Sequence, residues 1–130
     1  MRSSRGARSS LIRFGGTMHE LSLALSIVDL AAEEANRRGV KVHAVRLRLG
    51  PLSGVVKEAL LFSYALACEG TPLDGSRLVI EEVPVVVHCS RCRADREPIS
   101  MQNLRCSVCG EPSFQLVQGS EMEVVALEVE

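Results

Sequence analysis

The fold of this chain is decided by residues 88–110, which read HCSRCRADREPISMQNLRCSVCG. Four cysteines form two C-x-x-C pairs there, Cys89/Cys92 and Cys106/Cys109, with thirteen residues between the pairs. Two intervening residues let both sulfurs of a pair turn inward, and two such pairs supply the four thiolates of a tetrahedral zinc site. The gap is slightly shorter than in most zinc ribbons, but it closes a small loop. The spacing therefore predicts a structural zinc module.

Other uses of the four cysteines remain open at this point. Serial disulfides suit small secreted proteins, whereas the N-terminus has no apolar core of a signal peptide. A redox dithiol is expected in a thioredoxin-like βαβ context, and a rubredoxin-like iron site would use the same four thiolates. The fifth cysteine, Cys68, lies among Phe62, Tyr64 and Leu66, and we expect it to be a small core residue.

Size and composition limit the function further. A chain of 130 residues forms one compact unit or a small domain with a smaller appendage. With 46% hydrophobic and only 3% aromatic residues, the core must be aliphatic, and stacking platforms for bases are scarce. No apolar run approaches the roughly 20 residues that span a bilayer. We expect a soluble, cytoplasmic protein.

The first 17 residues differ from the rest in charge. They carry Arg2, Arg5, Arg8 and Arg13 and no acid, while the remaining 113 residues hold 11 basic and 16 acidic side chains. A basic, Ser- and Gly-rich segment could be a nucleic-acid arm or a targeting sequence. We interpret residues 1–17 instead as a leader that is disordered or that results from a mis-assigned start.

Hydrophobic periodicity predicts the remaining elements. Helical spacing runs from Glu20 to a stop at Gly39, and again from Val55 to Cys68. Strands are predicted at 42–49, at 78–88 with an edge, bulge or bend at Pro84, and at 114–117 and 121–129. The predicted fold is α+β: two helices packed on a small, mainly antiparallel sheet, with an inserted four-cysteine, zinc-ribbon-like module. Residues 18–87 plus 113–130 would form the α+β domain and residues 88–112 the module.

Several motifs together resemble a known family. These are Met18-His19-Glu20 at the first helix, Gly50-Pro51-Leu52-Ser53-Gly54-Val55, Glu58-Ala59-Leu60 in the second helix, the paired C-x-x-C, and Gly119-Ser120-Glu121 before the last strand. In combination they are similar to the HypA/HybF family, the nickel metallochaperones of NiFe-hydrogenase maturation. The resemblance covers residues 18–130, which is nearly everything except the leader.

The resemblance implies nickel bound at His19, with Met18 and Glu20 as further candidates, mainly through main-chain nitrogen. It also implies zinc at Cys89, Cys92, Cys106 and Cys109. Ni²⁺ favours square-planar nitrogen donors, and a histidine at position two of a chain can combine its imidazole with the α-amine and deprotonated amides. Such a site is open and exchangeable, which suits a metal that must be given away. A chain starting at Met1 has no α-amine at Met18, so we expect the working protein to begin at Met18.

Two other histidines have simpler interpretations. His43 shares the parity of Val45 and Leu47 in the first predicted strand, which favours a satisfied core histidine over a ligand. His88 precedes Cys89, and packing beside the zinc site is expected there, although it could couple the module to pH or nickel.

Two rival functions are less well supported by the sequence. A zinc ribbon can bind nucleic acid or act as an interaction adaptor without nickel transfer, but no aromatic residue lies between Cys89 and Cys109. An enzyme is not expected, because four thiolates leave a zinc ion no open position. By resemblance, the partners are the HypB nickel GTPase and a hydrogenase large subunit, and some relatives serve urease. We expect neither nucleic acid nor membrane as a partner, and a monomer or weak homodimer.

Overall fold

The predicted α+β class is confirmed in the computed structural model, which describes residues 12–14, 19–112 and 115–130. Two helices are combined with two small sheets. A short 3-10 turn at Pro51–Ser53 connects the second strand to the second helix. In chain order the elements are β1 (Ile12–Arg13), α1 (Glu20–Arg38), β2 (Val42–Leu49), α2 (Lys57–Cys68), β3 (Arg77–Glu82), β4 (Val86–Cys89), β5 (Ala94–Arg96), β6 (Gln115–Gln118) and β7 (Met122–Val129).

Helix α1 ends where the sequence predicts. The main-chain N–H of Gly39 donates to the carbonyls of Ala35 and Asn36, with φ at 65°, a conformation that glycine adopts without a steric penalty. Arg37 and Arg38 lie in the last turn, where the helix dipole favours cations. One face of α1 is buried at Leu23, Ala24, Ile27, Val28, Ala31 and Ala35.

Helix α2 packs against α1 and contributes Leu60, Tyr64 and Cys68 to the core. The expectation that Cys68 is a core residue is confirmed, since it is buried. The Tyr64 hydroxyl forms a hydrogen bond of 2.7 Å with the Ser76 hydroxyl, so the one tyrosine of the chain is buried with its polar end satisfied.

The larger sheet has the strand order β1-β7-β2-β3. Strands β1 and β7 are antiparallel. Strands β7 and β2 are antiparallel too, because the N–H of Glu130, after the end of β7, donates to the carbonyl of Lys41, before the start of β2. Near the ends of β2 and β3, Arg48 pairs with Glu81, so these neighbours run parallel, and α2 is the crossover between them.

The smaller sheet has the order β5-β4-β6, with both pairs antiparallel. The single strand predicted over 78–88 is divided here, because Pro84 lies between β3 and β4 and the two strands belong to different sheets. Proline lacks the N–H that a continuous ladder requires. Phe114, which the sequence assigns to the strand seen as β6, lies outside the described residues.

The chain divides into two compact units. The helix unit comprises the residues up to Arg48, Val55–Glu81 and Met122–Glu130, and the cysteine unit comprises Leu49–Gly54 and Glu82–Glu121. The module expected at 88–112 lies within the second. Inside the cysteine unit two glycines approach closely: a Cβ on Gly50 would lie 2.2 Å from the carbonyl oxygen of Gly119, so only glycine fits at position 50.

One residue prediction in β2 is wrong. His43 is not in the core; its side chain is 46% exposed and lies 3.4 Å from the Glu130 carboxylate. The buried residues of β2 are Val42, Ala44, Val45, Leu47 and Leu49, so burial changes parity between Ala44 and Val45. Strict alternation through the strand therefore assigns its first residues to the wrong face.

Part of the leader belongs to the larger sheet. Ile12 and Arg13 pair with Val124 and Glu123 of β7, and the N–H of Phe14 donates to the Met122 carbonyl over 2.8 Å. Arg13 also forms an ion pair with Glu123. The rest of the leader, residues 1–11 and 15–17, lies outside the described part of the chain.

Candidate metal centres

The first cysteine pair is formed by a hairpin. Strand β4 ends at Cys89 and β5 begins at Ala94, which pairs with Cys89, so Cys92 falls in the turn. The N–H of Arg93 donates to the carbonyl of Cys89 over 2.7 Å. Arg93 has φ at 59°, and it is a non-glycine residue with positive φ. The tight turn brings both sulfurs of the pair to the same side.

The second cysteine pair forms the same kind of turn, with glycine at the position that has positive φ. The N–H of Gly110, four residues after Cys106, donates to the Cys106 carbonyl over 2.9 Å, and Gly110 has φ at 79°. Bridges between Pro98 and Cys106 and between Arg105 and Pro112 hold the segment on both sides. The two C-x-x-C pairs are thus built alike, with glycine at the left-handed position of the second and arginine at that of the first.

The four sulfurs converge on one point. The Sγ atoms of Cys89, Cys92, Cys106 and Cys109 all lie within 4.8 Å of one another. The Cys89–Cys109 and Cys92–Cys106 sulfur distances are 3.6 and 3.9 Å. Tetrahedral zinc with bonds of about 2.3 Å requires sulfurs about 3.8 Å apart, whereas a disulfide requires about 2.05 Å. The cluster therefore fits a tetrahedral metal ion and contains no disulfide.

Main-chain N–H groups donate hydrogen bonds to the sulfurs of Cys89 and Cys106. The N–H groups of Cys109 and Val108 each donate to the Cys106 sulfur over 3.4 Å, and the N–H of Cys92 donates to the Cys89 sulfur over the same distance. The bond from Cys109 is the main cause that lowers the pKa of Cys106 to about 6. At Cys109 the Glu111 N–H also lowers the pKa, but burial and the three other thiols outweigh it and raise the pKa of this thiol. Because metals bind the thiolate and not the thiol, these bonds favour the state that coordinates.

Several charged and polar side chains near the cysteines form contacts within the cysteine unit. Arg91 pairs with Glu111 at 3.7 Å, and Arg105 donates to the Gly110 carbonyl over 3.1 Å. His88 bonds Asp95, its neighbour across the hairpin, through Nδ1 at 2.9 Å. His88 is not part of the four-cysteine cluster. Arg91 and Arg105 are thus engaged within the cysteine unit, while the buried Arg96 Nε has no hydrogen-bond partner among the described residues.

The nickel candidates lie at the start of α1, in the helix unit. His19 is exposed and precedes the helix in an extended conformation, with φ at −74° and ψ at 154°. Glu20 is the first helical residue, and Met18 lies outside the described residues. The first N–H groups of a helix have no main-chain partner within the helix, so the main-chain nitrogens at and after His19 are not tied into the helical hydrogen-bond ladder. Nickel binding at this helix start stays a prediction.

The side chain of Glu20 has a contact that the sequence analysis missed. Its Oε2 accepts the main-chain N–H of Val56 over 2.8 Å, and Val56 directly precedes α2. The Val56 N–H, followed by the N–H of Glu20 itself, lowers the pKa of the Glu20 carboxyl. The two residues are 36 positions apart, and no local pattern in the sequence could have indicated the pair.

Comparison with known proteins is consistent with this arrangement. Residues 18–129 match the family described as hydrogenase/urease nickel incorporation metallochaperone, HypA. The chain belongs to the HypA family. The hydrogenase maturation factor HypA of Chloroflexus aurantiacus is 52% identical over 112 residues, which is 85% of this chain and 98% of the relative. That of Deinococcus radiodurans is 40% identical over 111 residues, or 82% of this chain and 89% of the relative.

Solved HypA structures share the fold. A solution structure of a HypA protein superposes with a TM-score of 0.66 at 25% identity, covering 88% of this chain and 98% of that one. The solution structure of the Ni metallochaperone HypA from Helicobacter pylori gives a TM-score of 0.60 at 24% identity, with 86% and 97% covered. Among the described residues, no helix is long and apolar enough to cross a bilayer. The family's work is hydrogenase maturation and nickel incorporation.

Proposed function

We propose that this chain binds Ni(II) at His19 and delivers it for maturation of NiFe hydrogenase, while Zn(II) in the four-cysteine cluster holds the fold of the cysteine unit. The observation that carries the proposal is membership of the HypA family over residues 18–129. The hydrogenase large subunit and a HypB-type GTPase are the partners that follow from it. Cytoplasmic location follows from the same role.

The start of α1 is chemically suited to nickel. The imidazole of His19 and the main-chain nitrogens of His19 and Glu20 are donors of the type that square-planar Ni²⁺ prefers. An amide that loses its proton to bind nickel becomes negative, and the N-terminus of a helix favours negative charge. A free α-amine at Met18 would add a fourth nitrogen. We therefore propose that the nickel-binding form begins at Met18, the residue at which the family match begins.

The cysteine cluster, unlike the open site at His19, suits a metal ion that stays bound. Three of its properties support resident zinc: four sulfur ligands, separations that suit bonds of about 2.3 Å, and N–H groups that stabilise thiolates. Four thiolates complete the tetrahedron, so bound zinc would have no position for a substrate or a water. We infer a structural role for this metal and no catalysis by it. Residues 88–112 would form this zinc-binding module, and residues 18–87 with 113–130 the nickel-binding domain.

Nickel titration of matched proteins tests the proposal. Three proteins are compared by calorimetry: the chain from Met18, the same chain with His19→Ala, and the same chain with His43→Ala, a second exposed histidine. We expect one nickel per chain in the first and third and at least tenfold weaker binding in the second. Metal analysis should give one zinc per chain in all three.

Three results would contradict the proposal. Unchanged nickel affinity in the His19→Ala protein would remove His19 as the ligand. A full chain that retains all 17 leader residues in its intact mass, and that binds nickel as tightly as the chain from Met18, would remove the requirement for the α-amine. Iron in the cysteine cluster, visible in the absorption spectrum, would replace zinc in the assignment.

A further inference from the structure

The contact between Glu20 and Val56 has a structural cause in α2. Val56 is the residue before this helix, the position at which Ser, Thr, Asp or Asn usually accepts a hydrogen bond from the first turn. A valine side chain has no acceptor, and no side-chain cap is present at this helix start. Lys57, the first helical residue, places a cation where the helix dipole disfavours it. The side chain of Val56 therefore supplies no cap to α2.

Glu20 of the other helix accepts a different N–H at this end, that of Val56 itself, as the glutamate of a capping box does. Its carboxylate oxygen lies 2.8 Å from the Val56 nitrogen, and its negative charge lies at the positive end of the α2 dipole. One residue thus joins the first turn of α1 to the residue that precedes α2.

The position of Glu20 makes this bond relevant to the metal. It is the first residue of α1 and follows His19 directly, so its main-chain nitrogen is one of the proposed nickel donors. Helix α2 is anchored in the core by Leu60 and Tyr64, both buried. The carboxylate therefore ties the exposed His19 segment to a well-packed part of the helix unit.

We propose that Glu20 is a positioning residue of the nickel site, whose carboxylate caps α2 and thereby fixes the main-chain nitrogens beside His19. This inference rests on the proposed function. Direct coordination by the same carboxylate is the competing role. Oε2 accepts the Val56 N–H, so coordination through that oxygen would require this contact to be exchanged for the metal.

Four variants of the zinc-containing protein, purified as the cell produces it, separate the two roles. Glu20→Gln keeps an oxygen that can accept the Val56 N–H but loses the negative charge. Glu20→Ala loses both, and Glu20→Asp keeps the charge but is one methylene too short for the contact. Glu58→Gln removes a matched, exposed acid in the first turn of α2 and serves as control. Each is studied by nickel titration and by amide hydrogen exchange of the nickel-free protein.

Positioning predicts a specific order. The Ala and Asp variants should bind nickel about tenfold more weakly, as expected when a group supporting a ligand is lost, and Gln should stay within about threefold of the parent. Exchange at the Val56 amide should accelerate about tenfold in Ala and Asp but little in Gln or in the Glu58 control. The absorption bands of bound nickel should keep their positions in the Gln variant.

Each contrary result overturns the inference. Gln as weak as Ala, with shifted nickel bands, would assign the carboxylate as a ligand. Unchanged Val56 exchange in the Ala variant would show that the cap is not made in solution. If Ala does not fold, the Gln and Asp pair still decides between the roles. The exchange measurement needs no nickel, so a failure of the His19 site leaves the capping result readable and the two failures distinct.

Discussion

The two units of this molecule obtain their structure in different ways. The helix unit buries apolar residues from both helices and from strands β2, β3 and β7. In the cysteine unit the buried apolar residues among those described are Leu49, Val85, Val87, Cys89 and Cys106, and two of these five are metal-site cysteines. A core of this size cannot fold a unit by hydrophobic burial alone. We therefore expect the cysteine unit to require a metal in its four-cysteine cluster in order to fold, whereas the proposed nickel ligand His19 is exposed and should not be needed for folding.

The largest effect is expected when one of the four clustered cysteines is replaced, which tests whether the cysteine unit and the helix unit fold in different ways. We expect Cys106→Ser to lose zinc and the amide protection of β4–β6, because structural zinc supplies about 10–16 kcal/mol in small modules. The helix unit should keep its protection. Hydrogen exchange with metal analysis measures both, and Cys68→Ala, a buried cysteine outside the cluster, is the control. Loss of protection throughout both units would show that they do not fold independently.

A large effect without any change of ligand is expected at Gly50. A Cβ there would meet the Gly119 carbonyl at 2.2 Å, which is backbone and cannot move aside easily. We expect Gly50→Ala to cost about 2–3 kcal/mol of unfolding free energy, as overpacking does, measured by urea denaturation of the zinc-loaded protein. The control is Gly54→Ala, where φ is 81° but no atom lies within 4 Å. Gly50 has φ at −99°, which any residue can adopt, so a loss at Gly50 no larger than that at Gly54 would mean that the close approach to Gly119 does not require glycine.

The helix unit should show its dependence on burial at alkaline pH. Burial raises the pKa of Tyr64. The stability that protonated Tyr64 contributes to the fold is therefore fully present below the unfolded pKa of about 10 and is lost as the pH rises beyond that value. Relative to Tyr64→Phe, the wild type should lose up to about 1.4 kcal/mol per pH unit above that value. At neutral pH the variant should be about 1 kcal/mol less stable, because the bond to Ser76 is lost. Parallel alkaline profiles for the two proteins would contradict this reasoning.

The smallest effect on stability is expected at His19. The side chain is exposed and caps nothing, so His19→Ala should change the free energy of unfolding by less than about 0.5 kcal/mol. Thermal unfolding of the nickel-free protein checks this against the Cys106→Ser result. A large loss of stability would mean that His19 supports the fold, and the two candidate metal sites would then no longer differ in this respect.

These differences also explain what could be predicted from sequence. Both helices and the cysteine cluster follow from spacing within short segments, such as the stop at Gly39 or the pair Cys106/Cys109. Alternation places His43 on the wrong face, because Ala44 and Val45 are both buried and the alternation in β2 is broken between them. Which residues are buried there depends on what packs on each side of the sheet. The Glu20–Val56 bond joins residues 36 positions apart, and no periodicity describes such a contact.

The strand formed by the leader has a further consequence for the outer edge of β7. An open edge strand offers unpaired N–H and C=O groups to other chains, and proteins protect such edges with short strands and charged residues. Ile12 and Arg13 do this along Val124 and Glu123, with the Arg13 charge held by Glu123. A chain that begins at Met18 lacks this cover. Ile12 and Arg13 thus cover the outer edge of β7, and we expect a chain shortened to Met18 to leave that edge open to pairing with a strand of a second copy.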